Sequence, residues 1–287
     1  MVREAIVAGQ FYESTFDKLD KQIKECFNSK KGPGELPVKR KTQRLTAAII
    51  PHAGYSFSGA CAAWAYKEIA ESDFPRCYVI LAPNHQGSNS GLSIEDWRTP
   101  FGLIKTDKDM IIALKENTHL RINESAHKYE HSLEVQLPFL QFVSKDRIQD
   151  LRIVPITIGR DIEYGRLGKE ILATVKNKKV VFIVSSDFTH YGPNYGYVPF
   201  TLEIPDRLNE LDKRAIELIK KIDAKGFADY INETGITICG YMPILIVLSI
   251  IEQFEQKPTA ELLMHYTSGD ILGDYRNSVS YASIVFR

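Results

Sequence analysis

Several things are missing from this chain, and each absence closes off a class of function. With 36 basic and 36 acidic side chains its formal net charge is zero, so no broad cationic surface for nucleic acid or anionic lipid is expected. The four cysteines, Cys26, Cys61, Cys77 and Cys239, form no Cys-x-x-Cys pair and no zinc-knuckle spacing, which makes reduced thiols the expectation. A glycine-rich nucleotide loop is also missing. The segment Gly54-Tyr-Ser-Phe-Ser-Gly matches neither dinucleotide nor phosphate-loop spacing, and no organic cofactor is expected. The opening stretch MVREAIVAGQFYES has no apolar run of signal-peptide length, and the most apolar late segment, 236–251, is interrupted by Pro243. These features argue against a membrane span and make the cytoplasm the expected location.

What is present is an ordinary globular composition, 44% hydrophobic and 25% charged over 287 residues, long enough to bury a substantial core. No repeat or sharp boundary divides it, so one domain over 1–287 is expected. No heptad pattern marks an oligomer interface, and the oligomeric state stays open. Five segments read as strands, at 45–50, 77–82, 151–158, 180–185 and 278–286. Helix-like segments fall at 15–28, 59–69, 107–116, 131–142, 167–174 and 208–221. The runs at 77–82 and 180–185 lack polar alternation, as strands covered on both faces do. The alternation of strand and helix predicts an α/β fold with a mostly parallel or mixed central sheet flanked by helices. Pro155 inside the third run suggests an edge position, a bulge or a strand end. Residues 92–104 read as a hairpin excursion, and the basic stretch 30–44, with its Gly and Pro residues, reads as an exposed loop.

Three apolar runs end alike. The first leads to Pro51-His52, the second to Pro83-Asn84-His85, and a later one to Ser185-Ser186-Asp187-Phe188-Thr189-His190. In an open α/β sheet, ligands bind in the crevice beyond the carboxyl ends of the strands. One such histidine is more often a loop or core residue satisfied by hydrogen bonds, but three such ends in one chain predict a shared polar site. Cys239 precedes a helix predicted to begin near Tyr241 with Pro243 in its first turn, where the helix dipole and free N–H groups favour a thiolate. The other three cysteines read as buried apolar side chains. His127 and His131 share a face if their segment is helical. Glu130, His131 and Glu134 then either orient a ligand from outside it or simply cap the helix and form ion pairs. His119 and His265 carry no such pattern. Phe11, Tyr12, Tyr55, Phe57, Tyr191, Tyr195 and Tyr197 gather near the same strand ends, as pocket walls or as loop packing.

Blocks running almost from end to end resemble those of the Memo-like family, which is similar in fold to the class III, ring-cleaving non-haem iron dioxygenases. They are Val7-Ala-Gly-Gln-Phe-Tyr, Pro51-His-Ala-Gly-Tyr, Ser56-Phe-Ser-Gly, Leu81-Ala-Pro-Asn-His, Glu130-His-Ser-Leu-Glu-Val-Gln-Leu-Pro-Phe-Leu, Ser185-Ser-Asp-Phe-Thr-His-Tyr-Gly and Cys239-Gly. The resemblance implies a metal site at His52, His85 and Cys239, with His190 as the histidine that moves protons and Asp187 beside it. Those dioxygenases hold iron with two histidines and a carboxylate. A thiol at the third position shifts the preference towards softer ions and adds an oxidisable ligand. Fe(II) or Cu is therefore the expected metal, with Zn a further candidate. Three functions compete: a metal-dependent protein with redox or oxygenase-like chemistry, a non-catalytic pocket for a peptide or small molecule, and a hydrolase with Cys239 as nucleophile and His190 and Asp187 in support.

Overall fold

The computed structural model describes residues 1–287. Its strands are β1 (Val2–Arg3), β2 (Ala47–Ile50), β3 (Cys77–Pro83), β4 (Gly91–Leu92), β5 (Asp96–Thr99), β6 (Gly102–Thr106), β7 (Arg152–Ile158), β8 (Val180–Ser185), β9 (His190–Tyr191), β10 (Ala260–Thr267) and β11 (Ser278–Phe286). They form one sheet in the order β1-β5-β6-β7-β3-β8-β2-β11-β10, with β4 added to β7 and β9 to β11. The central strands β7, β3, β8 and β2 are parallel, and β11 and β10 continue the sheet antiparallel. This is the mixed α/β sheet expected.

Successive residues of each central strand serve opposite layers. Ala47, Ile49, Val79, Leu81, Phe182 and Val184 pack with α3 (Lys108–Asn117), α6 (Tyr164–Val175), α7 (Ile204–Lys220), α8 (Ala224–Thr234) and α9 (Tyr241–Ile251). Ala48, Ile50, Tyr78, Ile80, Val181 and Ile183 pack with α1 (Phe16–Asn28), α2 (Tyr55–Glu71) and α5 (Gln136–Val143). With both faces covered, every position favours an apolar side chain, each burial being worth about 1.5–3 kcal/mol for a Val, Leu, Ile or Phe. That is why the runs show no alternation. Although α9 is buried along almost its whole length, no helix is long and apolar enough to cross a membrane.

Pro155 occupies none of the three settings expected of it. Strand β7 continues through it, paired with β3 on one side. On the other side β6 pairs only as far as Ile153, and β4 begins at Ile156. The Pro155 carbonyl points into that interval and accepts from the Ser93 N–H at 3.2 Å. The nitrogen that lacks a hydrogen faces the same gap, so no ladder bond is lost.

The helix expected over 131–142 starts only at Gln136. Residues 132–135 form a turn closed by the Val135 N–H on the His131 carbonyl, at 3.0 Å. His127 ends a separate short helix, α4 (Glu124–His127), so His127 and His131 do not share a helix face. Two of the longer elements escaped the sequence reading. Helix α8 is framed by an Asp223 cap and a left-handed Gly235, both ordinary helix-end signals. Strand β10 is partly exposed and carries a register shift between Leu262 and Met264, which blurs its period of two.

His127 is fully buried, its Nε2 3.0 Å from the Gly91 carbonyl and its Nδ1 2.9 Å from Thr157 Oγ1. Burial, the largest influence, lowers its pKa from 6.5 to about 4. Below pH 6.5 the unfolded chain takes up a proton that the folded chain refuses until about pH 4. Stability from this group is therefore lost as pH falls through that window, by at most about 3 kcal/mol. In urea titrations at pH 7 and pH 4.5, the midpoint of the wild type should fall more than that of His127→Asn. Equal falls would show that His127 does not carry this part of the pH dependence.

Candidate metal centre

The strand order decides what meets at the carboxyl edge of the sheet. Strands β3, β8 and β2 are parallel neighbours, so the residues after Pro83, Ser185 and Ile50 emerge side by side. His85, Asp187 and His52 thus converge, as their positions after three strands suggested. The rings of His52 and His85 lie 5.4 Å apart, and His131 brings a third ring 5.7 Å from His52 and 5.0 Å from His85. One potential ligand atom from each of His52, His85 and His131 lies within 4.8 Å of the other two. The sequence reading had placed His131 either as a residue orienting a ligand from outside or in a helix cap and ion pairs, not among the ligands. Its position beside two strand-end histidines comes from the turn before α5, which no period in the sequence signals.

The hydrogen bonds set the tautomers. His52 Nδ1 is 2.9 Å from Ser185 Oγ, which donates its own proton to the Ser132 carbonyl and accepts from Gln136 Nε2. Gln136 Nε2 also donates to the Pro51 carbonyl at 3.0 Å, while its Oε1 accepts from Tyr66. With the hydroxyl proton committed, His52 Nδ1 must be the donor, and Nε2 keeps its lone pair. His85 is arranged likewise: its backbone N–H and its Nδ1 both meet the Glu130 carboxylate, at 2.5 and 2.9 Å. Burial by itself would raise the Glu130 carboxyl. The hydrogen bond and charge of His85, with the Ser132 N–H, outweigh it and bring the pKa to about 2. The carboxylate therefore only accepts, His85 Nδ1 carries the proton, and in the neutral ring Nε2 is free for a ligand. Burial, reinforced by His85, His131 and His190, pushes His52 well below the usual imidazole range, and burial also lowers His131. Both rings are neutral at pH 7.

Cys239 comes from the loop before α9. Its Sγ lies 3.3 Å from His52 Nε2 and receives the Asp187 N–H at 3.3 Å. The next residue packs so closely that a Cβ on Gly240 would stand 2.5 Å from Ser186 Cβ. The expected helix does begin at Tyr241, but it does not favour a thiolate here. Burial, with the nearby Asp187 carboxylate, raises the Cys239 thiol well above its ordinary value, which outweighs the dipole. Cys26, Cys61 and Cys77 are buried and free, as expected.

Asp187 Oδ1 accepts from the backbone N–H groups of His52, at 2.8 Å, and Ala53. Burial raises the Asp187 carboxyl, and His190 partly offsets it. His190 Nδ1 lies 3.0 Å from two carbonyls, those of Phe188 and Thr237. It must donate to them, so a neutral His190 keeps its Nε2 open. Of the aromatics, Phe11 packs on His131 at 4.7 Å and Tyr195 on His190 at 5.2 Å. Tyr12, Tyr55, Tyr191 and Tyr197 instead tie loops down through their hydroxyls.

The N-terminal block now has a physical role. Glu134 is fully buried and pairs with Arg3; it also accepts from the N–H groups of Ile6 and Val7 and from Tyr12 Oη at 2.6 Å. Glu134 therefore orients the N-terminal segment and does not touch a site histidine, while Glu130 does. His265 proves to be paired too, its Nε2 3.1 Å from the buried Asp212 carboxylate, and His119 meets Glu170.

A family model described as Memo-like protein matches residues 3–285. Among similar proteins, a MEMO1 family protein of Thermococcus onnurineus is 40% identical over the full length of both chains. One of Sulfurisphaera tokodaii is 39% identical, covering all of this chain and 99% of the relative, and one of Pyrococcus furiosus is 38% identical with the same coverage. The crystal structure of an uncharacterized protein from Escherichia coli K12 shares the fold, with a TM-score of 0.56 at 13% identity over 85% of this chain and 100% of that one.

The tautomers can be read directly. In metal-free protein labelled with 15N at histidine, long-range proton–nitrogen spectra should show His52 and His85 protonated at Nδ1. Glu130→Ala should change the pattern of His85 and leave that of His52. An Nε2-protonated His85 in the wild type would contradict the assignment.

Proposed function

The chain belongs to the Memo-like protein family, and on that premise we propose that it binds a transition metal, Fe(II) or Cu before Zn, at the carboxyl edge of its sheet. His52 and His85 supply the two shared ligands, with Cys239 and His131 as flanking donors. The observation that carries this reading is that one potential ligand atom from each of three imidazoles lies within 4.8 Å of the others, two of the rings having Nδ1 committed to protein partners and Nε2 free. Neutral imidazole suits Fe, Cu and Zn, and the thiol adds a soft donor. The arrangement also follows the usual pattern of an orienting acceptor behind each ligating ring.

When bound, the metal supplies redox or Lewis-acid chemistry. The chain supplies the rest. His190, with Nδ1 donating to the Phe188 and Thr237 carbonyls, has Nε2 available to take a proton from a bound small molecule and to return it. Asp187 sets the charge beside it and holds the His52 backbone through Oδ1. Phe11 and Tyr195 wall the crevice against His131 and His190 and limit the water that reaches it. We read the architecture as akin to the class III ring-cleaving dioxygenases, with a cysteine where those enzymes place a carboxylate. The hydrolase reading is the weaker one, because burial keeps Cys239 a thiol. The same walls also suit a peptide or small-molecule pocket, a reading in which binding is independent of metal.

Protein purified without chelator should carry about one transition-metal ion per chain, and His52→Ala or His85→Ala should carry less than about a tenth. A wild type that is metal-poor after reconstitution, or variants that retain its metal content, would overturn the proposal.

A further inference from the structure

The His190 ring is held by carbonyls and not by a carboxylate. Its Nδ1 meets the Phe188 and Thr237 carbonyls, each at 3.0 Å, while Asp187 commits Oδ1 to the N–H groups of His52 and Ala53. A second buried carboxylate stands one peptide group behind the ring. Asp212, on α7, is fully buried, and its Oδ1 receives the Thr189 N–H at 3.3 Å and the Thr189 hydroxyl at 2.5 Å. Its Oδ2 lies 3.1 Å from Nε2 of its ion-pair partner, His265 on β10. The Thr189 N–H and the Phe188 carbonyl belong to the same peptide group. Because that group is planar and trans, its N–H and C=O point in opposite directions, so Asp212 holds one end and the His190 Nδ1–H the other. Strand β11 fixes the chain on either side: the Phe188 N–H donates to the Ser280 carbonyl at 2.8 Å, and the Ser280 N–H to the Thr189 carbonyl at 2.9 Å. Those bonds set the path of the backbone, whereas the Asp212 bond acts on the very peptide group that accepts from His190.

We propose that Asp212 is a positioning residue for His190, acting through the Phe188–Thr189 peptide as a carboxylate–peptide–imidazole relay. Hydrogen bonds in such a chain polarise one another, by about 10–30% per bond. Negative charge at the N–H end makes the carbonyl at the other end the stronger acceptor. That carbonyl keeps the His190 proton on Nδ1 and leaves the lone pair on Nε2. An aspartate in direct contact fixes the tautomer of a catalytic histidine in the hydrolase triads; here one peptide group is inserted between the two. The Thr189 hydroxyl and His265 help to satisfy the buried carboxylate and do not contact the ring. The inference rests on the role given to His190 above and supplies the group that sets its tautomer.

The test uses the full-length metal-free protein at pH 8, labelled with 15N at histidine and read by long-range proton–nitrogen spectra. His190 should be protonated at Nδ1 in the wild type. Asp212→Asn keeps the shape and an acceptor oxygen but removes the charge. It should raise the share of the Nε2-protonated form of His190 at least about threefold, with His52 and His85 unchanged. Thr189→Val removes the hydroxyl and keeps the peptide N–H, and should leave His190 as it is in the wild type. A His190 pattern unmoved by Asp212→Asn overturns the relay. So does one moved equally by both substitutions, which is the result of loosened packing. A further measurement on the unaltered chain does not depend on how a variant folds. As pH carries the His190 ring through its titration, the Phe188 carbonyl carbon and the Thr189 amide proton should shift with the same midpoint, and different midpoints overturn the relay. Every arm is read without metal, so failure of the relay leaves the metal site standing. A chain that binds no metal removes the role given to His190 while the relay is still read.

Discussion

A buried carboxylate must be fully satisfied or it will not stay ionised, and the Glu130 side chain meets that demand with groups that belong to the site. One oxygen takes the His85 N–H, and the other takes the His85 ring and the Ser132 N–H. The same bonds that hold the charge fix where His85 stands, which of its nitrogens is protonated and how the following turn is bent. The turn in turn carries His131. Without Glu130 the strand end after β3 would still emerge at the same edge of the sheet, but nothing would choose the direction of its imidazole. The geometry of the centre therefore depends on a carboxylate that stands behind one of the proposed ligating rings.

The residues on either side extend that logic. In the stretch from Glu130 to Gln136, Glu130, Ser132, Glu134 and Gln136 are all buried. Glu130 reaches His85, Ser132 reaches the Pro83 carbonyl, Glu134 reaches the N-terminal segment, and Gln136 reaches Ser185 and the chain after β2. The helical turns before Gln136, closed by the Val135 N–H on the His131 carbonyl, send these side chains to four different partners. A partly satisfied version of such a network would be costly. Arg3, paired with Glu134 and stacked over Trp97 at 4.4 Å, anchors the N-terminal segment that brings Phe11 onto His131. Distant blocks of sequence are thereby tied to a single crevice.

Much of this was legible in the residues themselves. The apolar runs of β3 and β8, buried on both faces, and the histidines directly after β2 and β3 point to the α/β sheet and to its polar edge. The convergence of His52 and His85 follows from strand order, which alternation of strand and helix makes plausible without specifying. His131 was harder to place. Its neighbours Leu133, Val135, Leu137, Phe139 and Leu140 suit a helix, and nothing in their pattern shows that the regular helix starts only at Gln136. Cys239 was located correctly ahead of its helix, but its protonation is set by burial, and burial is a property of the assembled fold. Arg3 carried no signal, since a charged residue near the start of a chain is ordinarily a solvated one.

The central claim is that one edge of the sheet assembles a metal centre around His52 and His85. Anomalous diffraction from crystals of metal-reconstituted protein, recorded on both sides of the absorption edge of the added metal, tests it most directly. The account predicts a single strong anomalous peak within bonding distance of His52 Nε2 and His85 Nε2. No peak at that position, or a dominant peak elsewhere on the molecule, would contradict it.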